Sequence, residues 1–494
     1  MRRLFVLAAF LSVAVARADV SLPKVLGEHM VVQRGLPVHV WGSAAAGETV
    51  TVSFRGSERT AAADQLGRWS VYLPAGEAGG PFELQVKAAN TITLKDVLVG
   101  DVWVASGQSN MEWPLERADR GKDEVAAAKY PRIRLFRVER NPAGYPMEDV
   151  ESSGWSACSP ESVPGFSAVA YFFGRHLHEK LNVPIGLVES NVGGTPAEAW
   201  TSLDAISADA SLMPVFVSWS RMMNNYPATL LRYNLRVKAW EARVQQAKAA
   251  GTQPPPRPWP PDGPGGAWAP SHLYNGMIAP LTKFAIRGVI WYQGESNTDA
   301  VRGPIYERLF ATMIGDWRRA WGQGDFPFLF VQLANFNPGG SWPELREAQL
   351  RTLALRNTGM AVTIDIGNAT DIHPRNKQDV GLRLALAARA IAYGEPVEYS
   401  GPVFRQATPE GNAMRVWFSH SAGMKARSGA LRGFEVAGAD GKYVPAEARI
   451  DGDTVVVSSP QVATPAKVRY GWAANPDCNL YNGADLPASP FRSE

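Results

Sequence analysis

The sequence predicts an α/β protein, a parallel sheet with helices on both faces, flanked at its N- and C-terminal ends by β-sandwich-like domains. Three observations predict it. Apolar runs ending in Gly, Ser or Asn alternate with helical stretches through the middle of the chain, the pattern of a doubly covered parallel sheet. Short Val- and Thr-rich runs broken by Gly and Pro fill both ends, the pattern of antiparallel β structure. At 494 residues the chain exceeds one ordinary core, so several domains are expected.

The opening MRRLFVLAAFLSVAVARADV places Arg2 and Arg3 before an apolar run from Leu4 to Ala16, closed by Ala16, Arg17 and Ala18. That is a leader pattern over 1–18 with a small-x-small cleavage site, and Asp19 is the expected first mature residue. The run is too short to cross a membrane, so a secreted or periplasmic protein without membrane insertion is expected. An N-terminal β domain follows over 19–95, from VVQRGLPVHVWGSAAAGETVTVSF, GRWSVYLPAG and PFELQVKAANTITLKDV. The central domain spans 96–400. Its strands are read in DVLVGDVWVASG, NVPIGLVESNVGG, IRGVIWYQGES, PFLFVQLANF and GMAVTIDIGN. Its helices are read in SAVAYFFGRHLHEKL, YERLFATMIGDWRRAW, WPELREAQLRTLALR and DVGLRLALAARAIAY. An insertion at about 205–280 combines the polar helix RVKAWEARVQQAKAA with TQPPPRPWPPDGPGG. The runs AMRVWFSH, LRGFEVAG, DTVVVSSP and AKVRYGW assign 401–494 to a second β domain.

Composition narrows the function. A formal charge of +3 with no basic block beyond the N-terminus implies neither a nucleic acid nor an anionic membrane as partner. Cys158 and Cys478 are the only cysteines, too few for a disulfide scaffold or a multi-Cys zinc site; one bridge and two buried thiols both remain open. The 16 tryptophans suit sugar stacking but serve equally in a large core.

Chemistry concentrates where the central strands stop. DVWVASGQSNME crowds Gly107, Gln108, Ser109 and Asn110 between a strand and a helix start. Capping is the ordinary role of Ser or Asn there, whereas a nucleophilic Ser109 requires a base and a group that orients it. His29 and His39 lie in the N-terminal domain and His420 in the C-terminal one, and no histidine has metal-ligand spacing. His373, in DIGNATDIHPRNKQDVG, stands beyond a strand with Asp371 beside it and Pro374 stiffening the turn. Gly193 and Gly194 in ESNVGGTPAEAW allow close backbone approach to a ligand. In IWYQGESN, Gln293 can donate and Glu295 can accept.

Together the turns GQSNM, NVGGTPAEAW, WYQGESN and DIHP, in that order, resemble the sialate O-acetylesterase family within the SGNH (GDSL-like) hydrolases. LPKVLGEHMVVQRGLPVHVWG and NPDCNLYNGADLPASPFR extend the resemblance over nearly the whole mature chain. It implies a flavodoxin-like domain, Ser109 as nucleophile, His373 as base and Asp371 as the orienting carboxylate. Oxyanion donors would come from the Ser109 N–H, the Gly193-Gly194 turn and Gln293, with no metal and no cofactor. In the broader SGNH pattern an asparagine stands where Gln293 does, and the aspartate of a D-x-x-H block would fall at Thr370, so Asp365 and Glu295 also stand as candidates for the orienting role. The function expected is a secreted serine esterase removing O-acetyl groups from carbohydrates, sialic acids or acetylated plant glycans. A glycan-binding protein without hydrolysis and a glycoside hydrolase using Glu295 and Asp371 are the alternatives.

Overall fold

The computed structural model describes residues 19–74, 76–337 and 341–493, so the expected leader lies outside the described residues. Five parallel strands form the heart of the molecule: Thr91–Gly107, Ile185–Asn191, Gly288–Tyr292, Phe328–Val331 and Thr358–Ala361. In space the Ile185 strand comes first, then the Thr91 strand, then the other three in chain order. Beyond Ile185–Asn191 the sheet gains Tyr130–Arg137, parallel, and Trp155–Cys158, antiparallel. Sequence reading leaves these two strands unassigned, because YPRIRLFR interleaves arginines and a proline with its apolar residues.

Register shows why helices cover both faces. Trp103 pairs with Gly288 and Trp291 with Ser106, so the two indoles point to opposite sides of the sheet. Trp103 packs edge-on against Phe173 of helix Ala168–Leu181, which lies beside helix Lys377–Ile391. Trp291 meets Phe310 and Trp317 of helix Tyr306–Trp321. Most tryptophans on these elements are therefore core residues.

The strand Thr91–Gly107 belongs to two sheets at once. Its first half pairs antiparallel with Gly79–Lys87, and Val31–Gln33 runs parallel beside Leu98–Gly100. Its second half is flanked by Ile185–Asn191 and Gly288–Tyr292. The boundary expected at 95/96 falls inside this strand, and one apolar cluster runs from Val20 through the central sheet to Ala388. Buried Asp101 reinforces the junction by accepting from Arg34 at 2.8 and 2.9 Å and from the Tyr393 hydroxyl at 3.0 Å.

The C-terminal region has its own core. Met414, Val416, Val455 and Val457 come from one four-stranded antiparallel sheet, and Phe434, Val436, Val468 and Phe491 from another. Cys158 and Cys478 are both free thiols, so of the two open readings the structure takes the unbridged one. In the insertion, one helix of 37 residues, Met213–Ala249, is longer than its polar stretch suggests. The proline-rich segment returns along it: Trp240 Nε1 donates to the Pro255 carbonyl at 2.8 Å, Arg257 lies over the Trp240 ring, and Gly263 meets Tyr226. No helix among the described residues is long and apolar enough to cross a membrane.

Arg346 joins the central and C-terminal regions. Wholly buried, its guanidinium donates to the carbonyls of Leu333, Ala334, Ala473 and Ala474 at 2.7–2.8 Å. Removing it strands the Leu333 and Ala473 carbonyls, each at a cost of about 1–3 kcal/mol, whereas Ala334 keeps the Trp342 indole N–H at 2.9 Å and Ala474 the Phe336 backbone N–H at 3.2 Å. Arg346→Met is therefore expected to lose at least about 2 kcal/mol of stability in urea unfolding, with the C-terminal region becoming protease-sensitive. An unchanged midpoint would show that the carbonyls find other partners.

Candidate active site

Every candidate site residue lies beyond the carboxyl end of a central strand, where open α/β sheets hold their ligands. The first turn is forced by backbone crowding. Gly107 has φ +136°, and a Cβ there would stand 2.2 Å from the Tyr292 carbonyl oxygen, so only glycine fits. Gln108 follows in extended conformation, its N–H on the Tyr292 carbonyl and its side-chain oxygen accepting from the Gly294 and Ser296 amides. The helix Ser109–Glu112 starts there. Its cap position is Gln108, without a side-chain cap bond, so Ser109 is not a helix cap.

Freed from capping, the Ser109 hydroxyl stands 2.9 Å from His373 Nε2. The imidazole stacks on Trp113 at 5.2 Å between centroids. Burial lowers its proton affinity below the usual histidine range, and the Lys377 charge adds to this against the opposing pull of Asp371. At neutral pH the ring is therefore neutral, the form that accepts a proton from a hydroxyl.

Carboxylate placement corrects part of the sequence reading. Asp371 Oδ1 is 3.8 Å from His373 Nδ1, beyond hydrogen-bond distance, and instead accepts the His373 backbone N–H at 2.9 Å. It shapes the turn and acts on the ring through space. Asp365 is engaged by Arg383 at 2.7 and 2.8 Å and by the Tyr481 hydroxyl, which removes it from consideration. Glu295 turns beneath the site, its Oε1 accepting from Asn110 Nδ2 at 2.6 Å and its Oε2 buried without a partner. It faces neither the imidazole nor an open ligand position, and burial pushes its carboxyl above the ordinary glutamate range.

The donors divide similarly. Gly193 lies against the serine, since a Cβ on it would come 3.3 Å from Ser109 Cβ, and Gly194 has φ +72°. The Gly193 N–H donates to Glu112 Oε2 at 2.7 Å. Gln293, expected to face an oxyanion, is completely buried and both its amide hydrogens are committed, to Asn297 Oδ1 at 2.6 Å and the Thr195 carbonyl at 3.2 Å. Its oxygen accepts from the Tyr306 hydroxyl at 2.9 Å. A carbonyl can only accept, so Thr195 fixes the amide's orientation. Gln293 is a brace between two turns.

Four residues that sequence reading leaves unassigned complete the site: Asn110, Glu112, Trp113 and Lys377. The first three lie within four residues after Ser109, and only their proximity marks them. Beside Trp113 opens a cavity of about 660 Å³ whose charged lining is Arg117, Arg120, Lys122 and Arg375 against Glu116 and Asp123.

A family model described as a carbohydrate esterase, sialic acid-specific acetylesterase, matches residues 258–392, which hold Gln293, Glu295, Asp371 and His373. The sialate O-acetylesterase of Rattus norvegicus is 30% identical over 503 aligned residues, covering 92% of this chain and 90% of the relative. The chain belongs to the sialate O-acetylesterase family. The Homo sapiens sialate O-acetylesterase gives the same identity over 92% of this chain and 88% of its own. A solved carbohydrate acetylesterase from Xanthomonas citri superposes with a TM-score of 0.82 at 42% identity, covering 96% of this chain and 100% of that one. As a member of the sialate O-acetylesterase family, the protein is a carboxylic ester hydrolase.

The bracing role of Gln293 is testable. Gln293→Ala is expected to lower stability by about 2 kcal/mol, because it leaves buried partners unsatisfied, and activity should fall in step with melting temperature. A 10²–10³-fold loss of acylation rate, roughly the cost of a missing oxyanion donor, with unchanged melting would return Gln293 to the donor set.

Proposed function

We propose that this hydrolase removes O-acetyl groups from carbohydrates by a two-step serine mechanism. The observation that carries the reading is the 2.9 Å contact between the Ser109 hydroxyl and a neutral His373 at the carboxyl edge of the sheet. Ser109 Oγ attacks the acetyl carbonyl while His373 Nε2 takes its proton. The oxyanion accepts from the backbone N–H groups of Ser109 and Gly193, taking the latter from Glu112. Collapse expels the sugar oxygen, protonated by His373, and leaves acetyl-Ser109. Water then attacks with His373 again as base, releasing acetate and restoring the serine. Asp371 favours each imidazolium through space, without a hydrogen bond to the ring.

Further support comes from order and composition. The 2-1-3-4-5 order of the five central strands is that of flavodoxin-like sheets, consistent with an SGNH hydrolase domain between two β-sandwich-like domains. The cation-rich cavity beside Trp113 supports a sugar that carries a carboxylate, as sialic acids do. We propose export on the strength of the leader pattern over 1–18.

Ser109→Ala, folded, is expected to hydrolyse an aryl acetate at least roughly 10⁴-fold more slowly than the parent. The parent should cut aryl acetate much faster than aryl octanoate, and release acetate faster from O-acetylated sialosides than from neutral acetylated plant glycans. Near-parental turnover by Ser109→Ala would remove the mechanism. Preference for octanoate would remove the acetylesterase reading, and preference for neutral glycans the acidic substrate.

A further inference from the structure

Behind the serine and the imidazole lies a buried ionisable group that the two-step mechanism does not use. Lys377, the first residue of helix Lys377–Ile391, is wholly buried, and its Nζ donates to Asn110 Oδ1 at 2.5 Å. Asn110 directly follows Ser109. Its Nδ2 donates to Glu295 Oε1 at 2.6 Å and to the Ile372 carbonyl at 3.0 Å, and Ile372 directly precedes His373. One asparagine amide thus spans the nucleophile turn and the histidine turn. The Lys377 bond sets which way that amide faces, since a flip would aim the ammonium at an NH₂ and an oxygen at two acceptors.

A lysine is a costly way to fill this space. Fully buried lysines are rare, and an apolar side chain of the same length would avoid the desolvation. Burial brings the Lys377 ammonium down to about 7, with Glu295 and Asp371 pulling the other way. Its Nζ lies 5.2 Å from the centroid of the Tyr292 ring. The charged groups acting on the imidazole are Lys377, which lowers its proton affinity, and Asp371, which raises it. Below neutrality, where an imidazole titrates, Lys377 is cationic.

We propose that Lys377 is a positioning residue of the hydrolysis: it locks the Asn110 amide between the serine and histidine turns, and its charge keeps His373 in the proton-accepting form. The proposal rests on the Ser109–His373 reading above. The sign of its pH effect follows from repulsion between like charges. With the cation present, His373 stays neutral to lower pH; without it, protonation begins at higher pH.

The test is the pH profile of kcat/KM for an aryl acetate in the parent, Lys377→Met and Lys377→Gln, each checked by thermal melting. Glutamine keeps a donor for Asn110 without the charge, whereas methionine removes both. The acid limb should move up by roughly half a pH unit or more in both variants, and kcat should fall more in Lys377→Met than in Lys377→Gln. An unmoved limb in either folded variant overturns the proposal. Should neither fold, NMR titration of the His373 ring in the parent decides: besides its own midpoint, a second inflection as the neighbouring Lys377 loses its proton is expected, and a single inflection overturns the proposal. A parent without any acid limb, or one whose activity survives Ser109→Ala, is instead a failure of the underlying serine reading.

Discussion

A hydroxyl and an imidazole separated by 264 positions in the chain meet at 2.9 Å, and the rest of the architecture serves that contact. Neither residue belongs to a strand. Ser109 opens a short helix and His373 stands in a loop, and the course of each segment is dictated by the strand before it and by buried polar groups beneath it. The Gly107 turn exists because the Tyr292 carbonyl leaves no room for a side chain, and Gln108 ties that turn to the amides of the next loop. Buried hydrogen bonds of this kind are costly to break once formed, so the loops behave as rigid extensions of the sheet.

The sheet itself is held from outside. Its longest strand carries the N-terminal β structure on its first half and the Ser109 turn at its end, so the two regions share one backbone and one core. At the opposite edge, Arg346 and the Asp365–Tyr481 contact fasten the C-terminal sheets to the loops after Phe328–Val331 and Thr358–Ala361. Asp365 is thereby a structural ion-pair partner of Arg383, its carboxylate committed to that guanidinium and to the Tyr481 hydroxyl.

What could be read from the sequence follows from periodicity and from backbone constraint. Five apolar runs gave the parallel strands, and four amphipathic stretches gave helices that match within a few residues at their ends. That Ser109 and His373 would meet was legible because glycine- and proline-marked turns at strand ends are conspicuous. Side-chain direction was not legible. Gln293 and Glu295 lie in the right loop, but long-range partners, Thr195, Asn297, Tyr306 and Asn110, turn them into the interior. The geometry of Asp371 depends on a local turn that spacing alone does not determine. The insertion helix outruns its polar pattern because the returning proline-rich segment and Trp240 supply packing that no local period announces.

The central claim is that Ser109 carries the acetyl group between the two half-reactions. Its most direct test is mass spectrometry of peptides from enzyme quenched in acid during turnover of an aryl acetate. The account predicts an acetyl adduct on the peptide containing Ser109, absent when the quench precedes substrate and absent in Ser109→Ala. An adduct on a different side chain that still forms and turns over in Ser109→Ala would contradict it.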